Sequence, residues 1–267
     1  MKLQLEVVKL GPPLEGAFER HAGKDIPHYL FFLLDWRHNR DRTEIWLALR
    51  GNEIQGMMLV YDGRIVQLRG SEPAAESLLN KVDLEKAEFN VEPQHRQAIL
   101  GKFPRAKEYE LILMALRRGE EHLYPSEDVV RLTPDDAGRA ADLMSSADPE
   151  IWGRIITPER IAASMDRTLW FGIFTHGKLV SLGNATMTDI AGNVGAVATY
   201  GSYRNRGYAT SIVSALLRET LKVSDLALIH VLRDNAPARR IYEKVGFRPY
   251  RNYLFGFTEP FVAAPEG

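Results

Sequence analysis

The residues best suited to chemistry form one loop, Arg204-Asn205-Arg206-Gly207-Tyr208-Ala209, with Thr210 behind it. An apolar run, Asn193 to Thr199, precedes it and reads as a strand, broken at Tyr200-Gly201. From Tyr208 the apolar residues recur at Ile212, Val213, Leu216, Leu217 and Leu221, a period of about 3.6 that marks one face of a helix. A strand that turns into a helix aims several free backbone N–H groups at one point, and the helix dipole adds positive character there. Such a point suits phosphate or pyrophosphate. Gly207 lets the backbone approach the anion, and Ala209 keeps the first turn uncrowded. Arg204 and Arg206 supply charge.

The flanking elements follow from local pattern. Leu14 to His21 and Pro27 to Asp35 read as helices, and Thr43 to Arg50 and Gln55 to Tyr61 as a hairpin about Gly51-Asn52. After Asp62-Gly63 comes a strand, Ile65 to Arg69, then short helices at Pro73 to Leu79 and Glu92 to Leu100, and a buried strand, Glu108 to Leu116. The apolar pattern lapses at Arg117 to Pro125, RRGEEHLYP. A boundary there divides the chain into residues 1–124 and 125–267. The second part restarts with a strand, Val129 to Leu132, and a helix opened by Thr133-Pro134-Asp135-Asp136. Thr157 caps a second helix, and Leu169 to Thr175 and Leu179 to Thr188 form a hairpin closed by His176-Gly177. After the long helix come a buried strand, Leu226 to Val231, a helix capped by Asn235 and ended by Gly246, and a last strand from Phe247.

The loop resembles the acetyl-CoA pyrophosphate loop of the GNAT acyltransferase superfamily, Arg or Gln, two residues, Gly, one residue, Gly or Ala; here Arg204, Gly207 and Ala209. The order strand, two helices, three antiparallel strands, helix, strand, helix, strand is similar to that family's. So is the spacing of Val231, Asn235, Tyr242 and Gly246-Phe247. The resemblance covers about Val129 to Phe257 and implies an α/β GNAT fold, a mixed, mostly antiparallel sheet flanked by helices. The first half, with turns GNE and DGR where the family has its central hairpins, looks like a worn copy without a CoA loop. Tandem GNAT and glycine N-acyltransferase-like proteins have that arrangement.

The resemblance implies an N-acetyltransferase that moves acetyl from acetyl-CoA, or another acyl group from its CoA ester, to a primary amine by direct attack in a ternary complex. It places the pantetheine arm and the oxyanion against the edge amides of Val197, Ala198 and Thr199. Tyr242 stands where the family's tyrosine protonates the departing thiolate, although its spacing with Ala238 and Val245 equally describes a core residue. Asn235 caps a helix and, by resemblance, contacts pantetheine. Asp189, Glu150 and His230 are candidates for the base. Against those roles, the two acids read as solvated loop residues and His230, between Ile229 and Val231, as a satisfied core histidine. Arg239 reaches toward the CoA 3′-phosphate or lies on a solvated helix face. Trp152 and Trp170 line a pocket or simply pack. A non-catalytic CoA-binding or interaction module on the same fold is the alternative reading.

Composition narrows the classes. The 267 residues carry a net charge of −1, are 45% hydrophobic and 26% charged, and include no cysteine. No basic field recommends nucleic acid. Thiolate catalysis and cysteine-based metal sites are excluded, and the histidines show no ligand spacing, so no metal is expected. The N-terminus lacks a signal peptide's apolar core, and no apolar run is long enough to span a bilayer. A cytoplasmic protein follows, its partner a small amine or amino acid, less readily a protein N-terminus; a homodimer stays open.

Overall fold

The computed structural model describes residues 5–149 and 156–258. Its elements, in chain order, make the same series twice. The first series is β1 (Glu6–Lys9), α1 (Pro12–Ala22), α2 (Ile26–His38), β2 (Thr43–Arg50), β3 (Glu53–Tyr61), β4 (Ile65–Gly70), α3 (Glu72–Lys81), β5 (Glu88–Val91), α4 (Arg96–Lys102) and β6 (Lys107–Arg117). The second is β7 (Val130–Arg131), α5 (Ala137–Ala147), α6 (Pro158–Met165), β8 (Leu169–Thr175), β9 (Lys178–Met187), β10 (Gly192–Thr199), α7 (Tyr208–Val223), β11 (Leu226–Leu232), α8 (Ala236–Lys244) and β12 (Arg248–Phe257). In each series two antiparallel pairings lead to one parallel pairing across a helix: β2/β3/β4 then β4/β5, and β8/β9/β10 then β10/β11.

Local chemistry explains most of these elements. The tight turns at Asp62-Gly63 and His176-Gly177 hold both residues at positive φ, 50° and 66°, 49° and 75°, the twist a two-residue hairpin needs. Thr157 and Asn235 cap α6 and α8 by accepting from Arg160 N–H and Ala238 N–H. Thr133 and Asp136 form a reciprocal capping box ahead of α5. Short β1 and β5 lie outside the sequence expectation; four residues give too little alternation to stand out.

The chain divides into two compact units. Among the described residues, the first takes those up to Ile112 together with those from Arg251 on, and the second runs from Leu113 to Tyr250. The expected boundary at residues 124 and 125 assigned the last strand to the second half. Most of β12 instead lies in the first unit, paired antiparallel with β5 from Leu254↔Val91 to Phe257↔Glu88. Apolar burial accounts for it: Tyr253 and Leu254 are almost wholly enclosed there. The first unit's strands run β1-β2-β3-β4-β5-β12, with the start of β6 beyond; the second unit's run β11-β10-β9-β8-β7, with the end of β6 beside β11.

In the first unit, the place just past the parallel pair β4/β5 is filled by Arg69. This fully buried guanidinium donates to the carbonyls of Asn90 (2.7 Å), Leu68 (3.0 Å) and His28 (3.3 Å), and to the side chains of Asn90 (2.8 Å) and Gln67 (2.9 Å). It also stacks 4.3 Å from the Tyr253 ring. Tyr253 in turn shares a 2.5 Å hydrogen bond with His28 Nδ1. Burial, then the Arg69 and Arg251 guanidinium groups, bring the His28 pKa down to about 2.

The sign of the resulting pH dependence is fixed. Unfolded His28 takes a proton near its ordinary value and folded His28 does not, so its contribution is present above about pH 6.5 and is lost as pH falls from there toward 2. Urea unfolding at pH 7 and pH 5 should show a stability loss of about 1–2 kcal/mol from this one group. His28→Gln should lessen the fall; an equal fall in that variant refutes the assignment.

Candidate functional site

In the second unit everything is arranged by an irregularity in β10. Between Val194↔Ala185 and Val197↔Gly183, two residues of β10 face one of β9, which is a β-bulge. Asn184 occupies it: its side-chain oxygen accepts Ala196 N–H at 2.9 Å. Gly195 has no side chain there because a Cβ would collide with the same amide. On its other edge, β10 runs parallel to β11 from Gly192↔Ala227 to Val194↔Ile229, and the pairing then stops. Both strands continue, to Thr199 and Leu232, so they part. Alternate amides of Val197, Ala198 and Thr199 pair with β9 and the rest face the gap. Ser181 braces the strand, its hydroxyl 3.1 Å from Ala198 O and 2.8 Å from Thr199 Oγ1.

The loop after β10 leads to the bare N-terminus of α7. A short turn, Gly201–Tyr203, is followed by Asn205 at φ 61° and Gly207 at φ 85°. Two left-handed residues so close together turn the chain so that successive N–H groups converge. No side chain caps α7 and no acid stands in its first turn. Helices usually supply one or both, so the positive end of a 16-residue helix is left open to an external anion. The cations lie close in sequence and are restrained. Arg204 Nε donates to Thr199 O at 3.3 Å, and Arg206 donates to Ser202 O at 3.2 Å while stacking on Tyr203. Lys178, at the β8–β9 turn, stacks on Tyr200 and Tyr203. These contacts restrain the cations through carbonyls and aromatic rings rather than through carboxylates.

The family model of FR47-like proteins matches residues 170–255, the stretch holding the bulge, the loop and α8. A Drosophila protein solved by a structural genomics consortium superposes with a TM-score of 0.75 at 14% identity, over 96% of this chain and 99% of that one. A tandem GNAT protein from the clavulanic acid biosynthesis pathway gives 0.55 at 14%, over 98% and 100%. The fold is that of the tandem GNAT proteins. An acetyltransferase of the GNAT family from Colwellia psychrerythraea gives 0.58 at 12% identity, over 95% and 100%. A comparison with curated proteins gives no match. No helix among the described residues is long and apolar enough to cross a membrane.

The other sequence candidates fall at different places in this unit. His230 follows Ile229, the last β11 residue paired with β10, and so stands where the strands part; it is half-buried and partnered. Tyr242, on α8, is buried and packs edge-on against Phe247; burial raises its pKa above the usual tyrosine value. Asn235 is the α8 cap, accepting Ala238 N–H at 3.1 Å. Arg239 turns back to donate to Arg233 O at 3.2 Å. Asp189 is exposed in the β9–β10 turn, at the end of β10 that remains paired with β11. The stretch of β10 from Gly192 to Val197 alone separates it from Val197 by roughly 16 Å at about 3.3 Å per residue. Trp170 is core, its indole N–H within reach of the Ser164 and Thr168 hydroxyls. Glu150 and Trp152 lie outside the described residues.

Asn184, Ser181 and Lys178 were not singled out from sequence. A signal existed for Asn184, an amide inside the strand segment SLGNA, a residue type depleted from strands unless it answers a local need. Gly207 offers a clean test of the loop. Nothing lies within 4 Å of where its Cβ would be, yet φ is 85°. Gly207→Ala should therefore cost about 1 kcal/mol from backbone strain alone, read as a lower urea midpoint. An unchanged midpoint would mean the loop relaxes out of the left-handed conformation.

Proposed function

We propose that the second unit is an acyl-CoA-dependent N-acyltransferase, acetyl-CoA being its donor and a primary amine its acceptor. The observation that carries this reading is the parting of β10 from β11 beside an uncapped, acid-free helix N-terminus. That pairing offers one slot for an extended arm and one cradle for the pyrophosphate at its end. The residues present fit the donor: N–H groups of Gly207, Tyr208, Ala209 and Thr210 for the pyrophosphate, with Arg204, Arg206 and Asn205 around them, and Val197 to Thr199 for the arm. Asn235 and Arg239 are within the same reading as contacts to pantetheine and to the 3′-phosphate.

Acyl-CoA supplies an activated acyl carbon and a thiolate leaving group. The rest falls to the chain. Holding donor and acceptor together removes the cost of a bimolecular encounter. An amide of the β10 edge stabilises the oxygen as it gains charge. A carbon–nitrogen bond forms, the carbon–sulfur bond breaks, and the amine proton leaves toward His230, directly or through water. Tyr242 returns a proton to the sulfur. Because burial raises its pKa, Tyr242 stays protonated across the neutral range. Acceptor choice among small amines, amino acids and protein N-termini rests with loops that carry no portable chemistry. A cytoplasmic setting matches a CoA-dependent enzyme without cysteine.

Two measurements test the reading. Acetyl-CoA at about a hundred times its Kd should add roughly 2.7 kcal/mol, several degrees of Tm in a chain this long. Gly207→Glu should abolish the shift. Absence of any shift in the unaltered protein at millimolar acetyl-CoA rejects the assignment. Tyr242→Phe should keep the shift and lose about 10²-fold or more in kcat with an amine acceptor. A protein that binds CoA yet transfers to no amine is a binding module.

A further inference from the structure

We propose that the first unit holds a second ligand site, for a small zwitterion of the free amino-acid class. The site is a cavity of about 410 Å³ lined by nine residues, among them Lys24, Asp25, His28, Glu92, Gln94 and Arg251. It lies at Gly70 and Glu92, just past the carboxyl ends of the parallel strands β4 and β5, where open sheets collect ligands. Nothing in it suits an acyl-CoA. A single residue, Ser71, joins β4 to α3, where Tyr200 to Gly207 intervene in the second unit, and Glu72 puts a negative charge in the first turn of α3.

The lining is built for both signs of charge. Each carboxylate is fixed by one backbone N–H: Asp25 Oδ1 accepts from His28 at 3.2 Å, and Glu92 Oε2 accepts from Gly70 at 2.9 Å. Their other oxygens converge on one guanidinium, Arg251, at 2.9 Å from Asp25 and 3.4 Å from Glu92. The carboxylate of Glu92 is nearly enclosed while Arg251 is 38% exposed, so the cation is the member of the three most open to solvent. Lys24 stands exposed at the rim. Lys24 and Arg251 balance Asp25 and Glu92, and the His28 imidazole stays neutral, so the lining carries no net charge at neutral pH. A bare anion meets the two carboxylates, and a bare cation meets Arg251. A ligand ammonium placed between Asp25 and Glu92 satisfies both. The guanidinium it displaces then pairs with the ligand's own carboxylate, two N–H groups to two oxygens.

The test is a thermal-shift screen of the twenty standard amino acids at millimolar concentration, with methylamine and acetate as single-charge controls. At least one amino acid should raise the Tm of the unaltered protein by about 3 °C or more, and neither control should. Glu92→Gln keeps an acceptor for Gly70 N–H while removing the charge, and it should lose the shift, as should Arg251→Met. Gly207→Glu, in the other unit, should keep it. No shift with any of the twenty, or a shift that survives both first-unit variants, overturns the proposal. Should both variants misfold, calorimetry on the unaltered protein decides: analogues of the hit lacking the amine or the carboxylate should bind at least tenfold more weakly, and equal binding refutes it.

Discussion

The second unit depends on a hydrogen-bond ladder that stops. Parallel strands β10 and β11 pair through Val194 and Ile229 and no further, because the Asn184-held bulge adds a residue to β10 and turns it aside. Unpaired backbone amides inside a sheet are costly, and the cost is tolerated where a ligand can complete the ladder. One side-chain amide on β9 therefore decides whether the unit has an opening at all. The loop that follows inherits its position from that turn, and α7 inherits its direction from the loop. The charged side chains come last in this hierarchy, since they only decorate a cradle of main-chain N–H groups.

The two units solve the same geometric problem in opposite ways. Each has a parallel pair whose carboxyl ends would leave polar backbone exposed. In the second unit the gap stays open and the next helix presents an uncapped end. In the first, Arg69 fills the corresponding place with a guanidinium whose five N–H groups each find an acceptor nearby. A buried cation of this kind is tolerable because it is fully hydrogen-bonded and faces the aromatic Tyr253. The same topology thus yields an open gap between strands in one unit and, in the other, a plugged gap bordered by an ionic cavity.

How much of this was legible in the sequence depended on whether the cause was local. The helix caps Thr157 and Asn235, the turns at Asp62-Gly63 and His176-Gly177, and the left-handed Gly207 all act within a few residues, and each sits where its neighbours place it. The bulge could not be read, because it is a mismatch between two strands and appears in neither alone. Arg69 gave no sign of burial: an arginine beside a glycine at a strand end reads as solvated, and only the packing of Phe32, Asn90 and Tyr253 around it says otherwise. The fate of β12 was hidden for a related reason. Its alternation of apolar residues specifies a strand but carries no address, so the adjacent half of the chain was the natural place to put it.

That strand has a bearing on how the protein comes into being. Ala87 N–H in the first unit is bonded to the Thr258 hydroxyl, 171 residues away, and β5 waits on β12 for its neighbour. A ribosome delivers the amino-terminal sequence first, and ordinarily that portion condenses while the remainder is still being made. Here the leading unit cannot complete its sheet until β12, far along the chain from β5, has emerged. Until then β5 presents an unsatisfied edge to whatever else is nearby. Its brevity, four residues with Glu88 at one end, keeps that edge a poor template for other strands during the wait.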